Sequence, residues 1–130
     1  MPNRILPDTC AWIDFFKARP SPLAEGLKAS LVQGTTVTCG IVMYELLQGI
    51  RSPKEKTSLT SAFQALPQLE MTAASWIQAG HISAGLRKKG HTIPLSDIII
   101  ATLALEYACD LLTVDHHFDL IPGLKVIRGE

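Results

Sequence analysis

Two hydrophobic rhythms alternate along this chain. Short apolar runs bounded by turn residues read as strands: Ile5-Leu6-Pro7 before Asp8, Thr35 to Cys39, Leu69-Glu70-Met71, Leu111 to Val114 before Asp115, and Lys125 to Ile127. Between them apolar residues recur every three or four positions, the spacing that puts them on one face of a helix. Such stretches hold Ala11, Trp12, Phe15 and Phe16, then Leu23, Leu27 and Leu31, then Ile41 to Gln48 closed by Gly49, Lys54 to Leu66, and Ala73 to Lys89 stopped by Gly90. From Ile98 to Ala108 almost every position is apolar, which predicts a helix buried nearly all round, opened by Ser96-Asp97 with Ser96 as its cap. Pro20-Ser21-Pro22, Ser52-Pro53 and Ile93-Pro94 read as turns. Strands alternating with helices imply right-handed crossovers, hence an α/β fold: a parallel sheet flanked by helices on both faces, in a single domain over residues 1–130.

Composition narrows the class further. Hydrophobic residues make up 47% of the 130 and charged residues 18%, a densely cored chain rather than a solvated one. Lys plus Arg equals Asp plus Glu, 12 each, so no global field draws the molecule to nucleic acid or lipid, and any polyanion site must be a local patch. Cys10, Cys39 and Cys109 are odd in number and far apart, which favours neither a disulfide framework nor a zinc knuckle and makes a reducing cytoplasm the expectation. Met1-Pro2-Asn3-Arg4 leads into too few apolar residues for a secretory leader, and no run of about 18 apolar residues is present to span a membrane.

Open parallel sheets bind ligands beyond the carboxyl ends of their strands. Asp8 and Asp115 stand at two such ends. Asp97 opens the most apolar helix, and Glu45 emerges from a helical face whose neighbours are Ile41, Val42, Gln48 and Gly49. Singly, each acid has an ordinary explanation: a helix cap for Asp8, Asp97 or Asp115, a solvent-reaching side chain for Glu45. Together, four acids converging on one sheet edge repel unless something positive holds them. Oxygen ligands without a Cys or His cluster select a hard cation, Mg²⁺ or Mn²⁺ rather than zinc, and such ions suit displacement at phosphorus. Phosphodiester hydrolysis is the reaction this pattern suggests.

The ordered set Asp8 with Thr9, Glu45 with Gly49, Leu95-Ser96-Asp97-Ile98-Ile99-Ile100-Ala101, and Leu112-Thr113-Val114-Asp115-His116-His117-Phe118 resembles the PIN-domain ribonucleases, and among them the VapC-type toxins. The resemblance runs over essentially the whole chain. It implies a metal-dependent endoribonuclease with Asp8, Glu45, Asp97 and Asp115 as metal carboxylates and Thr113 as the hydroxyl that orients Asp115. It also implies a homodimer, neutralised by a small VapB-like antitoxin. One position departs from the pattern: the residue before Phe118, often acidic in those enzymes, is His117, with Asp119 two residues on as a substitute through water. One tightly held ion is therefore expected, and a second is left open.

Adjacent His116 and His117 point about 100° apart on a helical turn and read as exposed turn residues. Thr9 and Ser96 flank site acids and are candidates for holding phosphate or metal-bound water. Arg51, Lys54 and Lys56 form one basic cluster and Arg87, Lys88 and Lys89 another; these are the candidate phosphate contacts for RNA. Trp12 and Phe16 read as a core pair one turn apart. Trp12, Phe15 and the helix from Leu23 to Leu31 are the expected groove for an antitoxin's apolar anchor, whose arginine or lysine would enter the acidic cleft. A doubly wound receiver or nucleotide-binding module is the alternative. It lacks support in the missing Walker A and GxGxxG patterns, in the single acid at the first strand end and in the absence of a lysine at the last. An inactive protein-binding scaffold on the same fold is the third reading.

Overall fold

The computed structural model describes residues 3–129; Met1 and Pro2, part of the leader reading, and Glu130, the end of the expected domain, lie outside the described residues. Strand β1 (Ile5–Pro7) leads directly into α1 (Thr9–Phe16). Then follow α2 (Pro22–Gln33), β2 (Thr38–Cys39), α3 (Gly40–Gly49), α4 (Pro53–Gln64), β3 (Gln68–Leu69) and α5 (Ala73–Lys88). The chain ends in α6 (Leu95–Glu106), β4 (Asp110–Leu112), a 3₁₀ turn (His116–Leu120) and β5 (Val126–Ile127).

Local sequence sets most of these boundaries. The Ser21 hydroxyl accepts from the Ala24 N–H with Pro22 in the first turn of α2, and Gly34, at φ 74°, ends that helix in the left-handed conformation that glycine adopts without strain. Ser52 and Pro53 repeat the N-terminal device on α4. Thr72 and Ser75 form a reciprocal capping box at the start of α5.

All strand pairs are parallel. β1 lies between β4 and the segment leading into β2: Ile5 faces Asp110 and Pro7 faces Leu112 on one side, while Ile5 bridges Thr36 on the other. β2 continues outward to β3 through Thr38 opposite Gln68, and β4 to β5 through Leu111 opposite Val126. The order across the molecule is thus β3, β2, β1, β4, β5, with β1 and β4 central. Pro7 is tolerated in β1 because the next donor in the ladder, the Asp8 N–H, reaches the Leu112 carbonyl at 2.9 Å.

The hydrophobic core is one contiguous cluster. Helix α6 is buried at every residue from Ile98 to Ala104, and Thr102, the one polar residue there, donates its hydroxyl to the Ile98 carbonyl at 2.7 Å. Leu6, Leu111 and Leu112 are fully buried, each contributing on the order of 2 kcal/mol by burial.

Four boundaries differ from expectation. The Thr35–Cys39 run is not one continuous ladder, since Thr36 pairs toward β1 and Thr38–Cys39 toward β3. Its β-branched residues report a buried extended chain but not which neighbour takes each hydrogen bond. β3 is Gln68–Leu69 rather than Leu69 to Met71, and β4 stops at Leu112, ahead of half-exposed Val114. Helix α6 begins at Leu95 with Pro94 before it, so Ser96 lies inside the first turn and caps nothing.

Between α6 and β4 the exposed Ala108 has φ 52°, a left-handed backbone that costs an L side chain about 1 kcal/mol. Ala108→Gly is expected to raise unfolding free energy by about 0.5 kcal/mol in denaturant titration, relief of strain outweighing glycine's added entropy in the unfolded chain. A loss of stability would show that the turn carries no such strain.

Candidate active site

The two central strands deliver Asp8 and Thr113 side by side. The buried Thr113 hydroxyl donates to Asp8 Oδ2 at 2.8 Å and accepts from the Asp115 N–H at 3.0 Å. The other oxygen, Asp8 Oδ1, accepts from the Thr9 N–H at 2.8 Å, so Asp8 caps α1 while its carboxylate stays fixed at the sheet edge. Thr113 therefore holds the Asp115 backbone, in line with the expectation that it orients that aspartate, and it also fixes the Asp8 carboxylate on the neighbouring strand.

Asp97 arrives from the first turn of α6 and Asp115 from the end of β4. Asp115 Oδ1 accepts from the His117 N–H at 2.9 Å, closing the 3₁₀ turn. That turn swings the His117 ring inward: its Nδ1 lies 3.2 Å from Asp97 Oδ2 and 3.2 Å from Asp115 Oδ1. One ligand atom each from Asp97, Asp115 and His117 lie within 4.8 Å of one another. His117 is exposed, as expected of a turn residue, yet it brings a ring nitrogen beside two of the acids. His116 does diverge, as two adjacent residues on a turn must; its Nδ1 meets Asp119 Oδ2 at 2.9 Å. Asp119 is also paired with Arg128 at 3.0 Å.

Glu45 reaches the site from α3. Its Oε1 accepts the Thr9 hydroxyl at 2.8 Å, so Thr9 positions Glu45. Asp8 lies close enough to both Glu45 and Asp115 for their charges to act on it. Burial pushes Asp8 above the ordinary carboxylate range, hydrogen bonds from Thr113 and Thr9 pull it back, and Glu45 and Asp115 push it up again. Asp97 is pushed up to about 6, chiefly by burial and then by Asp115, against a counter-pull from His117. At the opposite end of β4, Asp110 takes a hydrogen bond from Asn3 and a salt bridge from Lys125. Among the described residues, no lysine or arginine nitrogen comes within 4 Å of the Asp8, Glu45, Asp97 or Asp115 carboxylates.

Beyond Glu45 the surface opens into a groove of about 600 Å³ between α1, α3 and α4. Ile13, Phe16, Leu46, Ile50 and Leu59 supply its apolar wall, and Lys54 lies on its margin. The expected groove residues are elsewhere: Trp12, Leu23 and Leu27 are buried in the core. Helical periodicity marks an apolar stripe but not whether it meets the core or a cleft. The Trp12–Phe16 pair is stacked, with ring centroids 5.7 Å apart, yet only Trp12 is core. Arg51, Arg87, Lys88 and Lys89 are exposed, and the last three lie at the end of α5, which a short link joins to the Asp97 end of α6.

The PIN domain family model matches residues 5–124. The chain belongs to the PIN domain family. The match sets aside the receiver and nucleotide-binding alternative. This PIN domain is 29% identical over 129 residues to a VapC ribonuclease of Mycobacterium bovis and equally to ribonuclease VapC11 of Mycobacterium tuberculosis, with 96% of each chain covered. Its fold is shared by VapBC2 from Rickettsia felis bound to a promoter DNA fragment, at TM-score 0.79 and 22% identity over 95% of this chain and 96% of that one. DNA-bound VapBC from Salmonella typhimurium also has TM-score 0.79, at 23% identity over 97% and 98%.

The charge cluster makes this PIN domain's stability depend on pH. Asp97 titrates near 6 when folded against 3.8 unfolded, so the folded chain holds that proton more tightly; the resulting stabilisation is complete below 3.8 and is lost as pH rises through about 6. Without added metal, stability should fall by on the order of 1 kcal/mol across this range after solvent screening. Asp97→Asn should remove that fall. Thermal midpoints measured between about pH 4.5 and 7 check it, and an unchanged slope in the variant would refute the assignment.

Proposed function

We propose that this PIN domain is an endoribonuclease toxin that depends on Mg²⁺ or Mn²⁺ and is held in check by a small VapB-like antitoxin. The observation that carries the reading is the carboxylate cluster at the carboxyl edge of the central strands, fixed by protein hydrogen bonds and, among the described residues, without a lysine or arginine partner. A donor set of carboxylates with one imidazole fits a divalent cation, and the charge that drives Asp97 upward is the charge a cation would offset.

Asp97 and Asp115 are the residues to hold the ion, with Asp8 and Glu45 completing the acidic wall. Bound there, the ion supplies Lewis acidity toward a phosphate and a water of lowered pKa. The chain does the rest by position. Thr113 and the Thr9 N–H keep Asp8 from rotating, and the Thr9 hydroxyl commits one Glu45 oxygen while leaving the other to take a proton from attacking water. Water adds to phosphorus as the P–O bond to the ribose oxygen breaks; that oxygen takes a proton from solvent, and Glu45 returns the proton it accepted to solvent. Arg51, Lys54, Arg87, Lys88 and Lys89 are the proposed phosphate contacts along the RNA, and Ser96, one residue before Asp97, is a further candidate.

The names of the relatives support the ribonuclease assignment, and the toxin–antitoxin structures of the same fold support the partner. The groove beside Glu45 suits an amphipathic segment of such a partner: its apolar residues pack on Phe16, Leu46 and Ile50, and an arginine reaches the carboxylates. Homodimer formation belongs to this reading, and α5 presents half-exposed Trp76 and largely exposed Ile77 as apolar surface for it. No described helix is long and apolar enough to cross a membrane, and the three free cysteines suit a reducing cytoplasm.

The test is cleavage of structured RNAs by the purified chain in Mg²⁺ or Mn²⁺, with and without chelator. Chelation is expected to abolish cleavage and Asp97→Asn to reduce it about 100-fold or more. Cleavage that survives both would overturn the metal mechanism.

A further inference from the structure

We propose that His117 is a nitrogen ligand of the bound ion and makes this site favour Mn²⁺ over Mg²⁺, an inference that rests on the metal reading above. The geometry is specific to one of two neighbouring histidines. His116 is engaged by Asp119 and lies 3.2 Å from Arg128, on the far side of the turn. His117 instead brings Nδ1 to 3.2 Å from one oxygen of Asp97 and to 3.2 Å from one oxygen of Asp115. Adjacent ligands of an octahedral ion with bonds of about 2.1 Å stand about 3 Å apart, the spacing of both His117 contacts, and the third side of the triangle, within 4.8 Å, need only draw in on the ion.

The ring is delivered there by the backbone. Asp115 Oδ1 accepts the His117 N–H at 2.9 Å, and the Asp115 N–H is itself held by Thr113, so the turn carrying the imidazole is tied to the end of β4 at two points. Asp119, paired with Arg128 and His116, braces the other end of the turn. To bind a cation between the same carboxylates, an imidazole held this way releases its Nδ1 proton to solvent and keeps the one on Nε2.

Nitrogen donors discriminate between these ions. Mg²⁺ keeps oxygen ligands and parts with water reluctantly, whereas Mn²⁺ accepts imidazole beside carboxylate. Replacing an acidic ligand by imidazole also removes one negative charge from the site, which costs the harder ion more. His117 is therefore the residue that sets which cation this chain uses, while the carboxylates set that it uses one.

The test is direct spectroscopy of the metal complex of the full chain, cleared of metal by chelation and reloaded with Mn²⁺. Electron spin-echo modulation from a directly bound ¹⁴N is expected for the unaltered chain, changing to the ¹⁵N pattern after histidine-specific labelling and vanishing in His117→Asp. Calorimetric titration should show Mn²⁺ binding roughly tenfold or more tighter than Mg²⁺, a ratio that shrinks in His117→Asp as Mg²⁺ binding improves. His117→Ala, at the same exposed position, should lose the nitrogen signal without gaining Mg²⁺ affinity. Mn²⁺ binding with no nitrogen coupling, or a ratio unmoved in His117→Asp, overturns the role of His117 alone. Failure of the unaltered chain to bind Mn²⁺ at all overturns it together with the metal reading.

Discussion

Uncompensated negative charge is the constraint around which this molecule is arranged. Asp8, Asp97, Asp115 and Glu45 come from four different elements to one edge of the sheet, and among the described residues the only side chain within 4 Å able to carry positive charge is an imidazole. Repulsion among them favours separation, so other forces must keep them close. Two of those forces are visible: main-chain and hydroxyl hydrogen bonds that fix each carboxylate locally, and a hydrophobic core rigid enough to oppose the repulsion. The raised titration of Asp8 and Asp97 expresses the same tension in terms of protons.

Helix α6 shows how core and site are joined. Its central residues are buried on every side, so it has no freedom to slide or rotate to relieve the strain at its first turn. Asp97 therefore stays where the packing of Ile98 to Ala104 puts it. The absence of a capping side chain on α6 fits this economy, since Ser96 and Asp97 leave the helix end to Pro94 and the acid keeps its oxygens for the cleft.

Much of this was legible before any coordinates. The buried strands and the all-apolar helix could be read because burial on both faces leaves runs that few other structures explain, and the acids at their ends followed from the rule that parallel sheets work at their carboxyl edge. What escaped was direction. Sequence pairs Thr113 with Asp115, and its hydroxyl does hold the Asp115 N–H, but the bond it donates to Asp8 on the neighbouring strand is not visible there, nor is the bond from the Thr9 hydroxyl to Glu45. His117 was set aside because adjacent side chains diverge, which is true but does not say which of the two turns inward. An Asp two residues ahead of a histidine, at a strand end, was the available signal: an Asx-type bond between them folds the ring back over the acid. The open groove is hidden from sequence for a similar reason: α1 carries apolar residues on more than one face, and only its packing partners decide which stays open.

The hydrogen bond between Thr113 and Asp8 spans 105 positions of sequence. A ribosome adding about 5–20 residues each second takes several seconds to cover that interval. Until residue 97 is made, Asp8 and Glu45 have neither Asp97 nor Asp115 to join, and until β4 follows, β1 lacks its central neighbour. The acidic edge is therefore absent from the nascent chain until β4 has been made.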